Sequence, residues 1–143
     1  MAEQMLEILL VEDSPDDLEL AQMALKNNHI ANRIRVARDG AEALEILFGT
    51  GGEPPATPKV IMLDLKLPKV DGLEVLQRIK SDPRTKHIPV VVMTSSREES
   101  DVVRSYQLGV NSYVVKPVDF EKFTEAVRQL GLYWLLLNHQ PGN

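Results

Sequence analysis

The stretch LLVEDSPDD, residues 9–17, runs from apolar residues directly into four acidic ones. Its second half has a local explanation. Ser14 reads as a helix N-cap, Pro15 suits the first helical position, and Asp17 stands three residues after the cap. Asp16 and Asp17 then fall in the first helical turn, where the helix dipole favours anions. Glu12 and Asp13 are different. They precede the cap, at the carboxyl end of the apolar run, where they repel each other and no capping rule accounts for them. The run itself, MLEILLV (residues 5–11), is short, apolar and bounded by a helix start, which reads as a buried strand.

The same unit recurs along the chain. SPDDLELAQMALKNN follows as a helix, with Leu18, Ala21, Met23 and Leu25 near helical spacing, and RIRVAR (residues 33–38) reads as a second strand. DGAEALEILF (39–48) is a helix opened by Asp39, with Glu42 three residues later. GTGGEPPATP (49–58) is too rich in Gly and Pro to be anything but a loop. KVIMLDL and DGLEVLQRIKSD then form a strand and a helix, IPVVVMTS and SREESDVVRSYQLG another pair, and NSYVVKP and VDFEKFTEAVRQL the last. Ser96 with Glu99, and Asp71 with Glu74, repeat the capping pattern, and Gly109 stops the fourth helix. Five apolar strands alternating with five helices predict an α/β fold: a parallel sheet covered by helices on both faces.

Composition narrows the function classes. The chain has 143 residues, 43% hydrophobic and 26% charged, so one globular domain is expected. A net charge of −5, with no basic stripe interleaved with aromatics, argues against nucleic acid as a direct partner. There is no cysteine, which excludes disulfides, a thiol nucleophile and thiolate zinc sites. No signal-peptide pattern opens the sequence, and no apolar run approaches the ~20 residues that span a bilayer. A cytoplasmic protein with no membrane association is the expectation.

In an open parallel sheet, sites form outside the carboxyl ends of the strands. Those ends carry Glu12 and Asp13, then Asp64, then Thr94 and Ser95, then Lys116 and Pro117. Carboxylates brought within a few ångströms are unstable alone, because like charges raise each other's pKa. Mg²⁺ relieves that repulsion, since one or two carboxylates plus waters and a phosphoryl oxygen satisfy its octahedron. An ammonium and a hydroxyl on the same rim suit phosphoryl transfer, in which a carboxylate can itself be the nucleophile.

The ordered set LLVEDSPDD, VARDGAEAL, IMLDLKLPKVDG, IPVVVMTSS and YVVKPVD resembles the response-regulator receiver domains of two-component signalling, over about residues 5–130. The long loop before KVIMLDL and the YWLLL tail are similar, more narrowly, to single-domain receivers that partner with bacterial phytochrome histidine kinases. The resemblance implies a flavodoxin-like sheet of order 2-1-3-4-5 and one receiver domain over residues 1–143, with an apolar extension at 131–143. It implies that Asp64 is the phosphoacceptor. Asp13, Asp64 and the backbone carbonyl of Lys66 would hold Mg²⁺, with Glu12 joining through water. Lys116 would hold a phosphoryl oxygen, followed by a cis peptide to Pro117. Thr94 would bond the phosphoryl group, and Tyr113 would turn inward as Thr94 moves. Such a protein is no metabolic enzyme; it catalyses its own phosphorylation from phosphohistidine and its own dephosphorylation.

Other residues have plainer readings. Asp39, Asp71 and Asp119 are expected to be caps, and His29, His87 and His139 are isolated surface residues. Asp64 taken alone could cap a turn, but it ends an apolar strand. Lys66 sits two residues after the phosphoacceptor, where receivers vary, and a cation there predicts an altered dephosphorylation rate. Leu132, Tyr133, Trp134, Leu135, Leu136 and Leu137 form an unbroken apolar run, read as a partner surface for a homodimer first and kinase docking second. No output segment follows, so signalling to a downstream protein is expected in trans. A non-phosphorylated receiver-like interaction module is the alternative. An aspartyl phosphohydrolase would need an acid where Lys66 stands, and a flavin carrier would need a phosphate loop after the first strand.

Overall fold

The computed structural model describes residues 7–27 and 33–116. Strand and helix alternate in chain order: β1 (Glu7–Val11), α1 (Pro15–Asn27), β2 (Arg33–Ala37), α2 (Gly40–Phe48), β3 (Val60–Leu63), α3 (Gly72–Ser81), β4 (Val90–Thr94), α4 (Glu99–Gln107) and β5 (Ser112–Val115). The strands form one parallel sheet of order β2-β1-β3-β4-β5. That is the flavodoxin-like arrangement expected, an order already familiar for doubly wound sheets. The expected fifth helix, residues 118–130, lies outside the described residues, as do Asp119, His29 and His139.

Burial follows the two-faced sheet. In β1, β3 and β4 every described residue but Glu7 is buried, because helices cover both sides. One face, with Leu9, Val11, Ile61, Leu63, Val90 and Val92, packs against Ala43 and Leu47 of α2 and Val75, Leu76 and Ile79 of α3. Ile8, Leu10, Met62 and Val91 alternate to the other face. In α1, Leu18 and Leu25 are buried as the pattern requires, whereas Met23 is 50% exposed. Met23 lies five residues from Leu18, a rotation of about 140°, so it falls off the buried stripe.

The helix starts test the capping pattern one by one. Asp39 caps α2, its Oδ1 accepting the Glu42 N–H at 2.7 Å. Ser14 Oγ accepts the Asp17 N–H at 3.4 Å ahead of α1. Asp71 occupies the N-cap position of α3 but makes no side-chain capping bond. Ser96 does not cap α4, which begins three residues later at Glu99 with Glu98 in the cap position. The Ser96 hydroxyl is used elsewhere, as the site makes clear.

The sheet order brings the functional ends together. From β1 the chain passes to β2 on one side, and β3 returns on the other, so β1 and β3 are neighbours at the point of reversal. Val11 pairs with Leu63, and the Asp64 N–H donates to the Val11 carbonyl at 3.1 Å. Glu12 and Asp13 therefore leave β1 beside Asp64. Gly72 opens α3 directly under this strand end. A Cβ there would lie 2.4 Å from the Asp64 carbonyl oxygen and 2.4 Å from the Leu65 Cα, so only glycine lets the helix approach so closely.

Candidate functional site

β1, β3 and β5 deliver one cation into a group of carboxylates. Thr94 pairs with Val115, and the Lys116 N–H donates to the Thr94 carbonyl at 2.8 Å, which sets Lys116 on the same rim as the β1 and β3 ends. Its Nζ lies 2.5 Å from Glu12 Oε1, 2.9 Å from Asp17 Oδ2 and 3.0 Å from Asp64 Oδ2. The ammonium side chain is only 12% exposed and that of Glu12 3%. Burial pushes the Glu12 carboxyl up to about 7, although the bond from Lys116 pulls it down. Burial also acts to lower the Lys116 ammonium, but the bonds to Glu12, Asp17 and Asp64 outweigh it and hold its pKa above the ordinary lysine value.

Carboxylate oxygens of Glu12, Asp13 and Asp64 come within 4.8 Å of one another. Asp13 is exposed while Glu12 and Asp64 are buried, so the group opens to solvent on the Asp13 side. With Asp17 added, four carboxylates face one ammonium. That is a charge deficit of the kind a hard divalent cation satisfies, and an all-oxygen donor set suits Mg²⁺ or Mn²⁺ better than softer metals. The donor set therefore fits the expected metal. Asp64 is further fixed by the Lys66 N–H, which donates to its Oδ1 at 3.2 Å. The capping reading of Asp64 is thus half right: it closes a turn with one oxygen and meets Lys116 with the other.

Thr94 is fully buried at the end of β4, and its Oγ1 accepts the Ser96 N–H at 3.3 Å. Tyr113, on β5, is partly buried, and its hydroxyl donates to the Ser96 carbonyl at 3.1 Å. Burial raises the phenol above its ordinary pKa, so it acts as a neutral donor. Thr94 and Tyr113 thus meet through the backbone of one residue. The Lys66 side chain is 58% exposed, and its ammonium stands 3.7 Å from Asp101 Oδ2. Pro117 and the run Leu132–Leu137 lie outside the described residues.

Two participants escaped the sequence reading. Asp17 was explained as a first-turn acid, yet it is a partner of Lys116. The available signal was its place in the first turn of α1, directly after the strand end that carries Glu12 and Asp13. Asp101 lies inside the stretch expected as the fourth helix and carries no motif of its own. Only its first-turn position in a helix that starts at Glu99, rather than at Ser96, brings it to the site.

Comparison with known proteins places this rim in context. A family model described as the response regulator receiver domain matches residues 8–128. The response regulator Rcp1 of Synechocystis sp. is 44% identical over 129 residues, covering 90% of this chain and 88% of that protein. The solved structure of the bacteriophytochrome response regulator AtBRR is 57% identical, with a TM-score of 0.82 over 95% of this chain and 99% of that one. The Mn²⁺-bound form of Rcp1 is 41% identical, with a TM-score of 0.77 over 94% of this chain and 96% of that one. With the motifs in order, the strands in register and relatives matching at nearly full length, the chain belongs to the response regulator receiver domain family.

Proposed function

We propose that this protein is a phosphorylatable signalling receiver that accepts a phosphoryl group from a histidine kinase onto Asp64. In the transfer, the N–P bond of phosphohistidine breaks, a carboxylate oxygen of Asp64 bonds to phosphorus, and the imidazole is released. The observation that carries this reading is the meeting of Lys116 Nζ with Asp64 Oδ2 at 3.0 Å, inside a group of carboxylates too negative for the one ammonium. Lys116 neutralises a phosphoryl oxygen once the group arrives, and Thr94 supplies a hydroxyl to it. Tyr113 follows the movement of Thr94, through the Ser96 backbone they share. Asp13, Asp64 and the Lys66 backbone carbonyl would hold Mg²⁺, and Glu12 would join them through water. The ion would supply charge neutralisation for the phosphoryl oxygens. The carboxylate cluster and a relative solved with Mn²⁺ support that choice.

The kinase is a phytochrome, supported by relatives described as bacteriophytochrome response regulators. The chain acts as one cytoplasmic domain over residues 1–143. Its apolar run at 132–137 makes a homodimer, and output passes to a separate downstream protein.

Intact mass after incubation with acetyl phosphate tests the chemistry. The parent should gain one phosphoryl group when Mg²⁺ is present and none without it, and Asp64→Asn should gain none. A folded parent that gains nothing would favour the non-phosphorylated interaction module.

A further inference from the structure

Beside the acceptor lies a polar chain of which the phosphoryl reading uses only Tyr113 and the Ser96 backbone. Asp101, in the first turn of α4, presents one oxygen, Oδ2, to two partners. It accepts the Ser96 hydroxyl at 2.5 Å and stands 3.7 Å from the Lys66 ammonium. Ser96 Oγ in turn accepts the Glu98 N–H at 3.3 Å, and the Ser96 carbonyl accepts the Tyr113 hydroxyl at 3.1 Å. The Asp101 side chain is 13% exposed, so its bond to Ser96 is largely shielded from water. A charge-assisted hydrogen bond in that setting is the stronger link, and the half-exposed lysine pair the weaker. Asp101, Lys66 and Asp64 all lie close enough to the Tyr113 hydroxyl to act on its charge. The chain thus joins the loop after β3, which carries the acceptor, to the loop after β4, which carries Thr94.

We infer that Asp101 is a positioning residue for the phosphoryl chemistry: it clamps Ser96 and holds the Lys66 ammonium away from Asp64. The inference rests on Asp64 being the phosphoacceptor. Lys66 touches Asp64 through its backbone N–H, so its side chain is anchored within reach of the rim, and its ammonium pairs with Asp101. That pairing is the contact that competes with Asp64 for the ammonium. In hydrolysis, the oxygen of a water bonds to phosphorus, the P–O bond to Asp64 breaks with its electron pair returning to the carboxylate, and inorganic phosphate leaves with the water's protons. A lysine released from Asp101 moves to the dianionic phosphoryl group, the strongest anion nearby, and its four-carbon stem covers the approach of that water.

The experiment compares the parent, Asp101→Asn, Asp101→Glu, Lys66→Asn and the double variant Lys66→Asn/Asp101→Asn. In unphosphorylated protein, hydrogen exchange at the amides of residues 96–101 should be about threefold faster or more in Asp101→Asn, the fold-change expected from losing one shielded charged contact. In phosphorylated protein, Asp101→Asn should hydrolyse at least about threefold more slowly than the parent. The double variant should hydrolyse at the Lys66→Asn rate, because the effect runs through the lysine. Asp101→Glu, which keeps the carboxylate, should recover most of the parental rate. Unchanged exchange in Asp101→Asn, faster hydrolysis, or effects of the two substitutions that simply add would each overturn the clamp. A parent that takes up no phosphoryl group counts against the acceptor reading instead, while the exchange comparison still decides whether Asp101 clamps Ser96.

Discussion

At the scale of single residues, Lys116 decides whether the rim is stable. Among the described residues it is the one cation bonded to Glu12, Asp17 and Asp64. Removing one partner from a buried charged group costs about 3–5 kcal/mol, because the remaining charges lose their compensation. Glu12 softens that cost, since burial already brings its carboxyl up to about 7 and it can take a proton. Lys116→Met should therefore lose about 3 kcal/mol of stability, near the low end, measured by urea unfolding at pH 7.5. Millimolar Mg²⁺ should raise the unfolding midpoint of the variant by more than that of the parent, because only the ion then opposes the carboxylates. Equal gains would remove the case for a metal in this cluster. Asp13, Asp64 and Lys116 were all legible as residues because each ends an apolar strand. Asp17 was not, since a first-turn acid has an adequate local explanation and its second role depends on where Lys116 arrives from, 99 residues later.

Among the elements, capping patterns found the helices more reliably than they found the bonds. Asp39 matched in both respects. The backbone N–H of Glu42 holds its carboxyl below the ordinary aspartate value, with Lys69 adding to the effect. A depressed pKa in the folded state contributes stability above the unfolded value near 3.8, and that stability is lost as pH falls through the folded pKa. Asp39→Ala should melt at a lower temperature than the parent at pH 7, and the gap should narrow below pH 3.8. A gap that stays constant across that range would show that the cap acts through something other than the carboxylate. Ser96 failed for an instructive reason. Its hydroxyl is engaged by Asp101 as acceptor and by the Glu98 N–H as donor, and the helix begins only after Glu98, whose backbone is extended. An S-x-x-E pattern is a local signal, and here a longer-range charged partner outcompetes it. The loop that results gives Tyr113 a carbonyl to hold, which a helix starting at Ser96 would have turned inward along its own axis.

For the whole molecule, the open question is what surrounds the domain. Truncation after Gln129 should leave a folded monomer while the full chain sediments as a dimer, if residues 132–137 form the proposed surface. A truncated chain that is insoluble would mean that those residues belong to the domain's own core. The described helices offer no membrane route, since none is long and apolar enough to cross a bilayer. The sequence by itself determined the α/β alternation and the identity of the strand-end residues, because buried parallel strands must be continuously apolar and their polar ends therefore stand out. Only the tertiary structure decided that Lys116 meets Asp17 as well as Asp64, and that Asp101 ties Ser96 to Lys66. The contacts of Lys116, and that of Lys66 with Asp101, join residues far apart in the chain. They are set by sheet order, by register and by which acceptor wins a given donor, and none of these is written in any one stretch of residues.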